Sequence, residues 1–207
     1  MREENKNKFK NDFLKAAAFS IAGLFVLMFF YSAFEPAVTD AAEDTDSVVV
    51  NLNVLATISI DSPANVSMSP DITGTGSSTG STTWTVATNN SAGWKLEVNT
   101  DQANTMHSGS DVFTDYTETA EGTPETWSVA PTAAEFGFGA TGSFVETEYG
   151  ADKYMGFNST TKEQVAHSST ETAGDSTTVI FKAEVGSTKM QPTGAYTSTV
   201  TATATTL

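Results

Sequence analysis

Cysteine is absent from the 207 residues. That excludes a disulfide framework, a thiolate metal site and a lipid-modified cysteine anchor. Histidine is nearly absent: only His107 and His167 occur, far apart and without the paired spacing of a zinc site. Basic residues are few, with 10 Lys and Arg against 25 Asp and Glu, a net charge of −15. Five of those bases (Arg2, Lys6, Lys8, Lys10 and Lys15) and three acids (Glu3, Glu4 and Asp12) fall in the first 15 residues. The head therefore carries +2, and the rest, 22 acids (25 − 3) against five bases (10 − 5), carries −17. So acidic a body repels nucleic acid and anionic lipid, and no nucleic-acid partner is expected; the acidity serves solubility. Helical periodicity is missing as well, since no segment after residue 47 carries a 3.6-residue apolar stripe.

What is present begins with one uncharged run, Ala16 to Phe34 (AAAFSIAGLFVLMFFYSAF). As a helix it spans roughly 28 Å, about one hydrocarbon core. The basic residues precede it, which places the N-terminus in the cytoplasm and the body outside. The run is longer than an ordinary signal-peptide core, as an uncleaved anchor would be. Pro36 and the small-x-small sequence Thr39-Asp40-Ala41 fit a cleaved signal peptide, and both fates stay open. The expected organisation is a cytoplasmic basic segment 1–15, a signal peptide or transmembrane anchor helix 16–34, a linker or processing region 35–47, and an extracytoplasmic domain 48–207.

The body is written in alternation. Val48, Val50, Leu52, Val54, Ala56, Ile58 and Ile60 recur at every second position, which predicts one long strand with a buried face. Trp84 and Val86, then Trp94, Leu96 and Val98, repeat the pattern on either side of Asn89-Asn90-Ser91-Ala92-Gly93 and read as a hairpin. Trp127-Ser128-Val129 follows, then Phe136 and Phe138, then Val179, Phe181, Ala183 and Val185, and a last run of Tyr196, Val200, Ala202 and Ala204 with threonines between. Thr73 to Thr82 (TGTGSSTGST) has the composition of a flexible loop. Asp101 to Ala130 reads as an ordered excursion packed on the sheets. With 39% apolar residues and 13 Phe, the chain can fill a core. The expectation is an all-β fold: an antiparallel Ig-like, Greek-key β-sandwich preceded by one N-terminal apolar helix.

Two stretches, TTWTVATNNSAGWKLEVNT (Thr82 to Thr100) and PTGAYTSTVTATATTL (Pro192 to Leu207), carry a resemblance. They resemble a group of uncharacterised exported bacterial β-sandwich proteins and, more distantly, WxL-type surface domains and the spore coat U group of pilin-like sandwiches. Trp94-Lys95-Leu96 is a WxL triplet; the second triplet of such domains is replaced here by Thr201-Ala202-Thr203. The resemblance implies an exported surface protein, with noncovalent binding to cell-wall peptidoglycan as one role.

Reaction chemistry is sparse. Gly76-Ser77-Ser78-Thr79-Gly80 matches the G-x-S-x-G pattern of serine hydrolases but lacks the strand-to-helix context that exposes a nucleophile. Neither histidine has surroundings that suggest a triad base. No catalytic residue, no cofactor and no enzymatic activity is expected. Acids between 111 and 125 give weak Ca²⁺ candidates in Asp111, Asp115 and Glu118, without a D-x-D-x-D-G loop. Lys95 and Lys182 are the lysines that a cross-linked sandwich would use. Trp94, Tyr116, Tyr149 and Tyr154 are candidates for surface binding. The functional expectation is an exported, non-enzymatic structural or adhesive protein, at the cell surface or secreted. It would meet the membrane through its N-terminal helix if that stays uncleaved. The alternatives are a peptidoglycan- or glycan-binding module and a strand-swapping filament subunit whose long front strand completes a neighbour's sheet. With no LPxTG-type tail among these residues, retention is expected from the N-terminal helix or from noncovalent assembly.

Overall fold

Period-two alternation marks rows that suit strands, and the computed structural model shows which of them pair. It describes residues 6–15, 17, 18, 20, 28, 42–61 and 63–207. The chain divides into two units, Met1–Leu52 and Asn53–Leu207. In the first, residues 6–15 are helical and exposed, and 42–52 carry no regular secondary structure. Most of the apolar run 16–34, with its anchor or signal-peptide reading, lies outside the described residues. Among the described residues no helix is long and apolar enough to cross a membrane.

The second unit is mostly β. Its strands are β1 (Ile58–Ile60), β2 (Gly76–Thr88), β3 (Trp94–Thr100), β4 (Met106–Ser108), β5 (Asp111–Asp115), β6 (Glu125–Thr126), β7 (Ala134–Thr141), β8 (Lys153–Tyr154), β9 (Glu163–Ser168), β10 (Thr172–Val185) and β11 (Val200–Thr206), with a 3₁₀ turn at Thr147–Tyr149. A six-stranded sheet runs β1-β2-β10-β7-β5-β4, a three-stranded sheet β11-β3-β9, and β6 and β8 form a two-stranded ribbon. Pairing is antiparallel throughout except for β5 with β7, which is parallel. The excursion 101–130 is thus ordered, and it extends the large sheet through β5 and β4.

The inward rows of the two larger sheets meet in one core. Val86, Phe136, Phe138 and Val179 from the large sheet join Trp94, Leu96, Val98 and Val165 from the small one, all at 2% exposure or less. Stacked and tilted rings of Phe136, Phe138, Phe157 and Phe181 fill its middle. Burying side chains of this size contributes roughly 1.5–3 kcal/mol each before the entropy of ordering is charged against it.

Four expectations need correction. The front strand is not Val48–Ile60 but Ile58–Ile60 alone. Ile58 pairs with Thr88, the last residue of β2, so residues before Ile58 have no more β2 to bond. The stretch Thr73–Thr82 is not a flexible loop throughout, because β2 begins at Gly76. The length of β10 decides this: its residues Val179–Val185 bond Thr82 back to Gly76, and ladder formation overrides the weak strand propensity of Gly and Ser. Gly80 has its own role there, since a Cβ would lie 2.6 Å from Val66 Cγ1. β2 and β3 are not a hairpin; they lie in different sheets, because both turn a buried row toward the shared core. Trp127-Ser128-Val129 follows a strand of only two residues, Glu125–Thr126.

A candidate assembly surface

Six of the eight residues from Val48 to Leu55 are apolar, and they are exposed. Val48, Val49, Val50, Leu52, Val54 and Leu55 each show 79–86% of their surface. No charge occurs from Ser47 to Ile60. Among the described residues, Val48–Val54 make no hydrogen bond. Isolated exposed aliphatics are ordinary on proteins, but a contiguous run of this kind marks an interaction surface or an aggregation liability.

The root of this segment is fixed. Asn89 Oδ1 accepts the Thr57 backbone N–H at 2.7 Å, and Asn89 Nδ2 donates to the Leu55 carbonyl at 3.0 Å. Thr88 Oγ1 donates to the Thr57 carbonyl at 2.6 Å. The neighbouring Asn90 Nδ2 donates to the carbonyls of Gly93 and Leu207, at 3.1 and 2.9 Å. Gly93 completes the loop at φ +98°, where a Cβ would strike the Ser168 carbonyl. The Asn-Asn-Ser-Ala-Gly sequence therefore ties the root of the apolar segment and the end of β11 to one corner. An open depression of about 410 Å³ lies at this corner, lined by Thr57, Ser59, Ala87, Thr88, Asn89, Glu171, Thr172 and Ala173. Glu171 is its single ionisable group, so no acid–base pair converges there.

The aromatic candidates do not form a surface. Trp94 is fully buried, with its ring edge-on to Phe144 at 6.0 Å, and Tyr116, Tyr149 and Tyr154 are 3–8% exposed. They read as exposed from sequence because they lie among polar residues, but each has a packing partner. Tyr116 stacks on Trp127 at 4.4 Å, Trp127 meets Tyr154 edge-on, and Tyr149 lies beside Phe138. Lys182 Nζ sits 5.2 Å from the ring centres of both Trp127 and Tyr154, and Trp127 Nε1 donates to Glu184. These contacts clamp the β6–β8 ribbon region onto the large sheet. They also occupy Lys182, while Lys95 pairs with Glu97 at 2.8 Å, so neither lysine is poised for a cross-link. Burial pushes the Tyr116 phenol up to about 12, and Tyr149 and Tyr154 upward for the same first reason.

The acidic candidates are dispersed. Asp115 accepts the backbone N–H groups of Asn104 and Thr105, Glu118 accepts that of Gly156, and Asp111 opens β5. Among the described residues no three acidic or histidine side chains come together as a metal ion would require. Among the described residues two carboxyls have raised proton affinity, Glu135 and Glu163. Burial is the main cause, and the negative charge of Glu118 near both adds to it. Ser78 lies buried within β2 opposite Ala183, so the G-x-S-x-G match is a strand and not an exposed elbow. His107 bonds Gln102, and His167 pairs with Glu146.

No protein-family model and no curated protein matches the chain.

Proposed function

We propose that this chain is an exported, non-enzymatic structural protein of the cell surface that assembles by strand donation, with Val48–Leu55 of one copy completing a sheet of the next. The exposure of that uncharged alternating row, attached at a fixed root, is the observation that carries the reading. Its alternation already suits a pleated edge, so docking requires little beyond ordering the segment. In this reading the second unit is an Ig-like, Greek-key sandwich, and the apolar run 16–34 exports it and tethers it to the membrane if it stays uncleaved. The peptidoglycan- and glycan-binding alternatives lose support because Trp94, Tyr116, Tyr149 and Tyr154 are packed inside.

The test compares the full-length chain with a V50D/L52D variant by light scattering after size exclusion, in detergent. The expected result is a ladder of oligomers for the parent and a single protomer for the variant, with equal unfolding midpoints. A parent chain that stays monomeric at all concentrations would falsify the reading.

A further inference from the structure

A donated strand needs an unpaired edge, and among the described residues the outermost strands of the two larger sheets leave one of useful length. The outer edge of β4 is closed by Thr197, which exchanges two backbone hydrogen bonds with His107, both at 3.0 Å. That of β9 is closed by Phe144 and Glu146, bonded to His167 and Val165. β2 is covered at Thr85–Thr88 by Ile58–Asp61 and at Thr79 by Ser69. β1 is three residues long. β11 has seven residues and, among the described residues, pairs only with β3.

The orientation of β11 follows from one bond. Leu207 N donates to the Gly93 carbonyl on the β3 side, and the register with β3 is unbroken from Thr206 to Val200. Backbone groups alternate sides along a strand, so those of Val200, Ala202, Ala204 and Thr206 aim away from β3. The same residues form the inward row. Val200, Ala202 and Ala204 pack against the core yet remain partly exposed, as do Ile58, Ile60, Val66 and Met68. This flank of the core, where β1 approaches β11, is therefore only partly covered. Its row on β11 is built from small side chains.

Resting on the strand-donation reading above, we infer that the acceptor is the outer edge of β11 in a second copy of this chain, and that Val48–Val54 docks there. The lengths agree, seven residues against seven. The faces agree too: Val48, Val50, Leu52 and Val54 join the inward row, while Asn51 and Asn53 lie beside the outward threonines Thr201, Thr203 and Thr205. Each copy then gives one strand and takes one, which builds an open head-to-tail array unless the rotation closes it.

With no native cysteine, the pairing can be read by disulfide trapping. Two differently tagged full-length chains, one carrying N51C and the other T203C, are mixed and oxidised. Asn51 and Thr203 are the midpoints of their segments, so they meet whether the added strand runs parallel or antiparallel. If the added strand is antiparallel, Thr203 also sits where the new ladder places Cα atoms close together. A mixed disulfide between the two tags is expected with T203C, or with T201C or T205C for a two-residue slip. No such product is expected when the partner is Q164C on β9. Adding A202P to the T203C chain should abolish the link without moving its unfolding midpoint, because that proline removes an N–H facing solvent. Oligomers that form while N51C links to Q164C, or to none of these positions, would overturn β11 as acceptor and leave strand donation standing. A bond formed only inside a single N51C/T203C chain, or an absence of oligomers altogether, would overturn both.

Discussion

Two stretches of this chain have nearly the same sequence character and opposite fates. Val179–Val185 in β10 alternates apolar and polar residues and is flanked on both sides, by β2 and β7. Its Val179 is fully buried. Val48–Leu55 alternates just as regularly and is exposed along its length. Alternation thus specifies a side-chain row that would suit a strand, while pairing with a neighbouring strand decides whether one forms. For Val48–Leu55 the edge offered by β2 ends at Thr88.

The sharpest way to break this comparison is to place one charge in each stretch. V179D should cost roughly 4 kcal/mol or more, because it buries an unpaired carboxylate; a urea midpoint within error of the parent would contradict the core assignment. W94A comes next, at about 3–5 kcal/mol for a fully buried aromatic. Chemical denaturation of the full chain reads both. G93A tests the corner: a Cβ there meets the Ser168 carbonyl at φ +98°, and a loss of about 1–3 kcal/mol is expected. A thermal midpoint unchanged by that substitution would mean that the loop adopts another course.

A smaller effect depends on pH. Glu163 has a raised proton affinity in the folded state, chiefly from burial. The native state then binds more protons than the unfolded one just above the ordinary carboxylate range, so its contribution to stability falls as pH rises through that window. E163Q should therefore be more stable than the parent at neutral pH, by less than about 1 kcal/mol after screening, with the difference vanishing in acid. A difference that grows on acidification would reverse the assignment. Last comes V50D, the counterpart of V179D. Its effect on protomer stability should lie within about 0.5 kcal/mol, measured by urea unfolding under monomeric conditions. A large loss would mean that the segment packs on its own domain.

Much of the β architecture was legible because burial on one face leaves a period of two. The second half of β2, together with β3, β7, β10 and β11, could be read from rows such as Trp94-Leu96-Val98 and Val179-Phe181-Ala183-Val185. What could not be read depends on non-local pairing. Gly76–Gly80 has loop composition, yet β10 draws it into the ladder. The five residues between Trp84-Val86 and Trp94-Leu96 suit a hairpin or a crossing between sheets equally well, and only the shared core selects the crossing. The parallel pairing of β5 with β7 leaves no local mark. The same limit applies to the candidate site. An apolar segment behind a linker is visible in sequence, as is the Asn-Asn-Ser-Ala-Gly motif. That Asn89 grips the segment's root, and that among the described residues β11 pairs with β3 alone, follows only from the folded arrangement.

That corner also has a mechanical meaning. In an array linked through donated strands, tension would enter a protomer at Thr57 and leave it through β11. The Asn89 and Asn90 amides sit where both lines of force pass, and the β1–β2 and β11–β3 ladders would be pulled along their strands. Bonds loaded in that direction yield together and not one after another, so such a thread would resist stretching by shear.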